Sequence, residues 1–205
     1  MVDKRRRGRP PASAGPSTRD QILKAGREVF SELGYEGTTF KAIAERAGLT
    51  RPAVSHYFRN KELLFLALSE SARDTVVTAG ADRAGGAITL PDRLAAFLDS
   101  AMQVDSADPS FARFMAASVL DAFRHPQLRE AAHGQLDHVR AFVRQALEAA
   151  VAEGEVRPDL DVPAVTEMLI AVLWGMGLYA GFVGTHEQLE DVVAQFVRLL
   201  TGDLW

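Results

Sequence analysis

The chain has 205 residues, of which 47% are hydrophobic and 24% charged, and this composition excludes a wholly disordered protein. It contains no cysteine, which excludes a disulfide framework, a thiolate metal site and a thiol nucleophile. The net charge of −4 hides an asymmetry, because residues 1–61 hold 13 basic and 6 acidic residues whereas residues 62–205 hold 10 basic and 21 acidic ones. Residues 1–61 thus have a net charge of +7 and residues 62–205 one of −11, which indicates that only the first part meets a polyanion.

Helical periodicity begins at Ser17 and continues along the chain. Apolar residues recur every three to four positions in segments at about 17–34, 39–47, 50–58, 60–78, 91–104, 109–124, 127–153, 162–183 and 187–202. Ser17, Thr39 and Thr50 are suited to cap helix N-termini, and Gly34 is suited to end the first helix. The small residues at 80–86 are expected to form a link. No window alternates as a strand would, so the sequence predicts an all-α fold.

Two short predicted helices flank the segment Ala47–Thr50. Gly48 permits the left-handed backbone of a tight turn, and Val54 and Phe58, four residues apart, are expected to face the core. This arrangement predicts a helix-turn-helix, whose second helix enters the major groove of double-stranded DNA. The spacing alone also fits an unrelated helical hairpin with a solvated polar face.

The second of these helices leaves a polar face for solvent or DNA, formed by Thr50, Arg51, Ala53, Ser55, His56 and Tyr57. Arg51 lies in the first turn, where a helix-turn-helix reads base edges, and arginine pairs with guanine through two hydrogen bonds. Thr39 and Thr50 stand at helix N-termini, whose free backbone N–H groups hold phosphates. We include Lys41 in the predicted DNA-binding set.

Three linked motifs within residues 17–68 resemble the tetracycline-repressor (TetR) family of bacterial transcriptional regulators. They are Gly34–Thr39 (Gly-Tyr-Glu-Gly-Thr-Thr), Ile43–Thr50 (Ile-Ala-Glu-Arg-Ala-Gly-Leu-Thr) and His56–Leu64 (His-Tyr-Phe-Arg-Asn-Lys-Glu-Leu-Leu). The resemblance implies a homodimer that binds a near-palindromic operator and is released by a small-molecule effector. We therefore expect a disordered basic arm at 1–16, a three-helix helix-turn-helix DNA-binding domain at 17–61, and a helical ligand-binding and dimerisation domain at 62–205.

The resemblance also implies roles by position. Thr39 and Lys61 would contact phosphates, and the groove would be faced by Arg51, Pro52, Ala53 and His56. Ser55 departs from the family because many members carry tyrosine there, and Pro52 departs because a small residue, often glycine, is usual. Base preference is therefore not transferred from relatives.

The basic leader contains Arg5, Arg7 and Arg9. Its segment Arg7–Pro10 resembles an AT-hook core, which lays arginines in the narrow minor groove of A·T-rich DNA. The alternative is a basic tail that attracts any phosphate. The leader contains no apolar signal segment, so we expect a cytoplasmic protein.

The stretch from Met168 to Gly184 carries no charge over 17 residues. A membrane span needs about 20 apolar residues, so we expect no membrane insertion and a helix buried on every side. Gly177 and Gly181, four residues apart, would let another helix approach closely. The last helix repeats apolar residues at Leu189, Val192, Val193, Phe196, Val197 and Leu200. Two such helices from each of two subunits would form a four-helix homodimer interface.

Methionine and aromatic side chains in the acidic part would suit an apolar effector. The candidate ligand-binding residues are Met102, Phe111, Phe114, Met115, Phe123, Met168, Trp174 and Tyr179. Residues at such spacing are more often plain core, and a pocket among them is what the resemblance implies.

Other classes of function fit the sequence less well. No Gly-rich phosphate loop, nucleophile motif or paired-carboxylate arrangement predicts an enzyme, and no cofactor or metal site is expected. A helical small-molecule-binding protein or enzyme would leave the basic part unused. An architectural nucleic-acid binder would have no need of a large acidic domain. The sequence thus predicts a DNA-binding regulator, most simply a repressor.

Overall fold

The computed structural model describes residues 17–84, 86, 88–182 and 186–203, and within these residues the chain is helical without strands. The helices are α1 (Thr18–Gly37), α2 (Phe40–Ala47), α3 (Arg51–Tyr57), α4 (Lys61–Ala84), α5 (Leu90–Ala107), α6 (Ser110–Arg124), α7 (Arg129–Ala152), α8 (Val162–Phe182) and α9 (His186–Thr201). A short 3₁₀ turn at Pro126–Leu128 joins α6 to α7. The all-α prediction is confirmed.

Hydroxyl caps begin the helices of the basic part. Ser17 Oγ accepts a hydrogen bond from the Asp20 N–H at 3.2 Å, and the Asp20 carboxylate accepts one from the Ser17 N–H at 3.1 Å, which closes a capping box. Thr39 caps α2 and Thr50 caps α3, each through its side-chain oxygen. These local hydrogen bonds confirm the three predicted caps.

The turn between α2 and α3 is made by Gly48 at φ 65° and ψ 30°. A side chain is disfavoured in this left-handed conformation, so glycine suits the position. The Leu49 N–H donates to the Ala44 carbonyl at 2.8 Å and closes the turn. Val54 and Phe58 are both buried, as predicted, which fixes the inner face of α3.

The first helix is interrupted at Gly34, where φ is 66° and ψ 178°, and it resumes as far as Gly37. Arg46 of α2 donates to Glu28 at 3.0 Å and to Glu32 at 2.6 Å, which holds α2 against α1. The hydrogen bonds that Arg46 donates to Glu32 and then to Glu28 raise its pKa. Two ion pairs of Arg46 thus attach α2 to α1.

Two hydrophobic cores follow one another along the chain. The first contains Ile22, Phe30, Ile43, Val54, Leu64, Phe65, Leu68 and Phe114. The second contains Leu94, Leu98, Val143, Leu147, Leu169, Leu173, Val193 and Phe196. Because α4 and α6 contribute to the first core, the helix-turn-helix is built onto the helices that follow it.

The link expected at 80–86 does not begin at Gly80, because α4 continues as a helix to Ala84. Gly80 is buried where α4 packs along α5. A Cβ at this position would collide with Cδ2 of Phe97 and lie 3.0 Å from its Cε2. The glycine therefore serves close helix packing, and the expectation of a link over 80–84 is wrong.

The eighth helix is apolar over Val162–Tyr179, which by length and composition alone would suffice to cross a membrane. One of its faces packs into the second core through Leu169, Leu173 and Met176. Part of the helix is exposed in the single chain, so burial on every side would need a partner chain. An exposed apolar stripe remains along it, formed by Ala164, Met168, Ala171, Val172, Gly175 and Leu178.

The glycines of α8 do not share one face. At 100° per residue, Gly175 falls on the exposed stripe, whereas Gly177 falls on the opposite side and lines a cavity described below. The surroundings of Gly181 lie outside the described side chains. Both residues are exposed and have open space where a Cβ would lie, so either position leaves room for another helix.

The apolar seam of α9 faces its own subunit. Leu189, Val193 and Phe196 are buried in the second core, and Val192 and Leu200 pack against it. This seam is packed within the chain, whereas the apolar stripe of α8 stays exposed.

Candidate nucleic-acid interface and an apolar cavity

The outer face of α3 carries the residues predicted to bind DNA. Its exposed residues are Arg51, Pro52, Ser55, His56 and Tyr57, and Ala53 is half-buried. The rings of His56 and Tyr57 meet edge to face with their centroids 5.5 Å apart. Since Val54 points inward, the helix presents one continuous polar face outward.

A polar depression lies where α2, α3 and the start of α4 meet. It is lined by Thr39, Phe40, Lys41, Arg51, Ser55, Arg59, Asn60 and Lys61. Four of these residues are positively charged and none is negatively charged, so the depression favours anions. It brings together five of the predicted DNA-binding residues: Thr39, Lys41, Arg51, Ser55 and Lys61.

Three residues of the depression lie outside the predicted DNA-binding set: Phe40 and the two polar residues Arg59 and Asn60. Asn60 Oδ1 accepts a hydrogen bond from the Leu63 N–H at 2.8 Å and so caps α4. Arg59 is exposed beside it. Arg59 and Asn60 both belong to the motif His56–Leu64, from which they could have been predicted.

Lys61 has a structural partner of its own. Its Nζ donates to the carbonyl of Tyr35 at 2.8 Å and lies 4.4 Å from the centre of the Tyr35 ring. Burial, and the nearby charge of Glu62, raise the pKa of Tyr35. An ammonium group has three donors. Lys61 therefore ties α4 to the end of α1 while lying at the edge of the depression.

The hydroxyl oxygens of Thr39 and Thr50 already accept the capping hydrogen bonds, at 3.2 and 3.3 Å. Each hydroxyl keeps a hydrogen to donate, and both residues are exposed. These two helix starts hence present donors outward. The predicted contacts of Arg5, Arg7 and Arg9 lie outside the described residues.

An apolar cavity of about 160 Å³ lies among α5, α6, α7, α8 and α9. Four of the eight candidate ligand-binding residues line it: Met102, Phe111, Met115 and Trp174. Other lining residues, such as Phe97 and Leu173, were not singled out from the sequence. The cavity also contains one acidic residue, Asp105.

The other four candidates lie elsewhere. Phe114 is fully buried in the first core, with ring centroids 6.3 Å from Phe30 and 5.3 Å from Phe65. Phe123, near the end of α6, is 76% exposed. Met168 lies on the exposed stripe of α8 and is 55% exposed. Tyr179 packs against the second core without lining the cavity. The α6 residues divide in this way because one face of α6 meets α1 and another meets the cavity.

A buried arginine connects the basic part to the cavity wall. Arg27 of α1 donates to the Asp108 carboxylate at 2.8 Å and to Ser110 Oγ at 3.1 Å. Its guanidinium carbon lies 3.8 Å from the centre of the Phe111 ring, a cation–π contact. Burial raises the pKa of Asp108, but hydrogen bonds from Ser110 and Arg27 outweigh it and hold the pKa below its usual value.

The other end of α6 is also joined to α1. The buried Asp121 carboxylate accepts a hydrogen bond from the Tyr35 N–H at 2.9 Å. His125, just beyond α6, lies 3.5 Å from the Glu36 carboxylate. Burial raises the pKa of Asp121, which the Tyr35 hydrogen bond counteracts in part. The sixth helix therefore contacts the helix-turn-helix domain at both of its ends.

Sequence models of known families cover both parts of the chain. The model described as "Bacterial regulatory proteins, tetR family" matches residues 22–68. The model described as "Tetracyclin repressor-like, C-terminal domain" matches residues 89–197, more than half of the chain.

Individual proteins agree with these matches. The HTH-type transcriptional regulator UidR of Escherichia coli is 25% identical over 191 residues, 91% of this chain and 92% of that protein. The HTH-type transcriptional repressor AcnR of Corynebacterium efficiens is 45% identical over 53 residues, 26% of this chain and 28% of that protein. The crystal structure of the regulator FadR from Bacillus subtilis, in complex with stearoyl-CoA, superposes with a TM-score of 0.76 at 20% identity, covering 90% of this chain and 98% of that one.

These proteins are named as regulators of transcription, which confirms the prediction of a DNA-binding regulator over that of an enzyme. The helix-turn-helix geometry and the two family matches agree on the assignment. The chain belongs to the TetR family of bacterial DNA-binding transcriptional regulators.

Proposed function

We propose that this regulator is a homodimeric repressor that leaves a near-palindromic operator when a small molecule occupies the apolar cavity. The observation that carries the proposal is the position of α6. One face of α6 lines the cavity through Phe111 and Met115, and the helix also packs against α1 of the DNA-binding part.

On the DNA side, α3 enters the major groove and Arg51 meets base edges from its first turn. The positively charged depression beside α3 receives backbone phosphates through Lys41 and Arg59, which are exposed there beside Arg51. Phosphate contacts fix the orientation of α3, and Arg51 supplies specificity.

On the effector side, a molecule in the cavity touches Phe111. The guanidinium of Arg27 contacts the same ring. Movement of this ring changes a contact made by α1. A ligand that prefers one position of α6 thereby alters DNA affinity, and DNA alters ligand affinity by the same factor. This coupling is the proposed cause of release from DNA when the ligand binds.

A second copy of the chain covers the exposed stripe of α8. A contiguous apolar stripe is unusual on a monomer and is typical of a protein–protein interface. In a symmetric dimer the same stripe meets itself, with Gly175 allowing the two α8 helices to approach. Two recognition helices then meet the two half-sites of a palindrome.

The relatives support two further parts of the proposal. AcnR is named a repressor, and we adopt that direction of control here. The FadR structure contains stearoyl-CoA, which supports a ligand for this fold without identifying the ligand of this chain. A regulator that acts on chromosomal DNA would work in the cytoplasm.

The test is DNA binding by the full chain. Fluorescence anisotropy would compare DNA flanking the gene for this chain with a scrambled sequence of equal length and composition, at several salt concentrations. We expect specific binding about 10³-fold or more tighter than non-specific binding, with two chains per operator. Equal affinity for every such flanking sequence and its scrambled control would contradict operator recognition.

A further inference from the structure

The backbone of Tyr35 makes hydrogen bonds with two different helices. Its N–H donates to the Asp121 carboxylate of α6 at 2.9 Å. Its carbonyl accepts a hydrogen bond at 2.8 Å from Nζ of Lys61, the first residue of α4. Because one residue bonds both partners, a continuous chain of hydrogen bonds runs from α6 to the positively charged depression, which Lys61 lines.

The interruption of α1 orients the first of these hydrogen bonds. In an uninterrupted α-helix the N–H of Tyr35 would donate to the carbonyl of Ser31. Gly34, at φ 66°, interrupts the helix directly before Tyr35, and the Tyr35 N–H donates to a side chain of another helix. A side chain is disfavoured at this φ, so glycine suits the position that joins α1 to α6.

The side chain of Tyr35 is packed on several sides. The residue is 5% exposed, and its ring centroid lies 6.1 Å from that of Phe30 and 5.7 Å from that of Phe65. The ring of His125, just beyond α6, lies 5.0 Å away. Close-packed interiors have low compressibility and transmit displacement. A shift of α6 at Asp121 should therefore move the Tyr35 backbone.

Lys61 can bond the end of α1 and a phosphate at the same time. Its Nζ donates to the Tyr35 carbonyl at 2.8 Å and to the Glu36 carbonyl at 3.4 Å. An ammonium group has three donors, so one N–H remains for an anion in the depression. Because two donors are held by α1, the position of the ammonium depends on where Tyr35 and Glu36 lie.

We infer that Tyr35 transmits the position of α6 to Lys61, which makes Asp121 and Tyr35 positioning residues for a phosphate contact. The inference rests on the proposed function, in which α6 responds to the cavity, and it adds the route from α6 to the phosphates. Phe111 and Met115 line the cavity on the same helix. Asp121 follows Met115 by six residues, which is about 9 Å along the helix axis.

A phosphate contact holds DNA of any sequence. Movement of α6 through this route should therefore change the affinity for every DNA, whereas base preference stays with the outer face of α3. The route is separate from the contact between Arg27 and Phe111, because it leaves α6 at its opposite end.

The experiment is a double-mutant cycle on DNA affinity with the full chain. Asp121→Ala removes the acceptor of the Tyr35 N–H, and Lys61→Met removes the ammonium while keeping a long side chain. Fluorescence anisotropy would measure wild type, both single variants and the double variant on operator and scrambled DNA. We expect Asp121→Ala to weaken binding to both DNAs about fivefold in the wild-type background and less than about twofold in the Lys61→Met background.

Two further variants serve as controls. Arg59 lines the same depression and is exposed, so a second cycle pairs Asp121→Ala with Arg59→Ala. In this cycle the two free-energy losses should add. Asp121→Asn keeps an acceptor oxygen for the Tyr35 N–H and should restore most of the DNA affinity lost in Asp121→Ala. Circular dichroism would establish that each variant is folded at the temperature of the titration.

Amide hydrogen exchange of the wild-type protein gives a measurement that needs no variant. If DNA holds the Lys61 ammonium, the Tyr35 N–H should exchange more slowly in the DNA complex. We expect slowing at least about tenfold greater than at the N–H of Phe30, which reports general stabilisation of α1. Equal slowing at the two amides would contradict the inference even if Asp121→Ala does not fold.

The outcomes distinguish this inference from the proposed function. If Asp121→Ala weakens DNA binding by the same factor with and without Lys61, the inference is overturned and operator recognition stands. If wild type binds operator and scrambled DNA equally, the proposed function is contradicted, and the cycle on scrambled DNA still decides the inference. Absence of binding to any DNA would overturn both.

Discussion

The guanidinium carbon of Arg27 lies 3.8 Å from the centre of the Phe111 ring, and the two residues belong to different functional parts of the chain. Arg27 is in the first helix of the DNA-binding part, whereas Phe111 lines the cavity. The same guanidinium bonds Asp108 and Ser110, so three groups at the start of α6 are organised around one buried cation. In the proposed mechanism, this contact connects the cavity to the DNA-binding part.

Removal of the Arg27 charge should destabilise the protein strongly. Arg27→Met leaves the Asp108 carboxylate without its partner in a largely buried site, and we expect a loss of about 3 kcal/mol in the free energy of unfolding. Urea denaturation at fixed protein concentration measures it. Lys24→Met, an exposed position on the same helix, is the control and should cost less than about 0.5 kcal/mol. Equal small losses in the two variants would show that the Arg27 pair contributes little.

The contribution of Asp108 to the free energy of unfolding should decrease at acidic pH. Because its pKa in the folded protein lies below the unfolded value of about 3.9, the ionised carboxylate stabilises the fold above that pH. This stabilisation is lost as the pH falls through the folded pKa. We expect the difference in unfolding free energy between wild type and Asp108→Asn to be largest at neutral pH and to shrink below pH ~4. A difference that stays constant with pH would contradict this role.

Asp121 should behave differently, because its pKa is raised. The ionised carboxylate at neutral pH is disfavoured by burial, although it accepts the Tyr35 N–H. Asp121→Ala leaves that buried N–H without an acceptor and should cost about 2 kcal/mol. Asp121→Asn keeps an acceptor oxygen and removes the buried charge, so its loss should be clearly smaller. Thermal or urea unfolding of the two variants compares them, and equal losses would mean that the hydrogen bond is not what Asp121 contributes.

Arg51 and Arg59 should separate base reading from phosphate binding. Arg51→Ala should weaken operator binding by roughly 1–3 kcal/mol and relax the preference at one base pair per half-site. Arg59→Ala should weaken operator and scrambled DNA alike and reduce the salt slope by about one. Anisotropy titrations on both DNAs measure each effect. Should Arg51→Ala also lower both affinities equally, Arg51 would be a phosphate contact.

Dimerisation should fail when charge is placed on the α8 stripe. Ala171→Arg keeps high helix propensity but brings two unpaired charges into the proposed symmetric contact. We expect the dimer dissociation constant to rise at least about tenfold, the factor that corresponds to 1.4 kcal/mol. Sedimentation velocity at micromolar concentration measures it, with Ala141→Arg at an exposed position of α7 as the matched control. A fully dimeric Ala171→Arg protein would place the interface elsewhere.

Local signals predicted the DNA-binding part well. Hydroxyl caps at Ser17, Thr39 and Thr50, and the left-handed turn at Gly48, depend on a few neighbouring residues, and the structure contains all four. Such features are decided within a turn of helix, where the sequence contains the relevant chemistry.

The ligand part was less predictable, because helical spacing does not say which neighbour a face meets. Phe111 and Phe114 are three residues apart on α6, yet Phe111 lines the cavity and Phe114 is buried against Phe30 and Phe65. Asp105 was not among the predicted ligand-binding residues, although its spacing from Leu98 and Ala101 places an acidic residue on an apolar face. That spacing was the signal, and only the packing of five helices shows that the face borders a cavity.

The contact between Gly80 and Phe97 has a consequence for ligand range. Phe97 lines the cavity and stacks on Phe142 with ring centroids 4.8 Å apart, so the ring has little freedom to move away. Even a methyl group at position 80 would push the Phe97 ring, because the added carbon has no room beside it. In the proposed mechanism, the size of effector that the cavity accepts is therefore expected to depend in part on α4, through a residue that does not line the cavity. Searches for altered ligand range that vary only the cavity wall would miss this position.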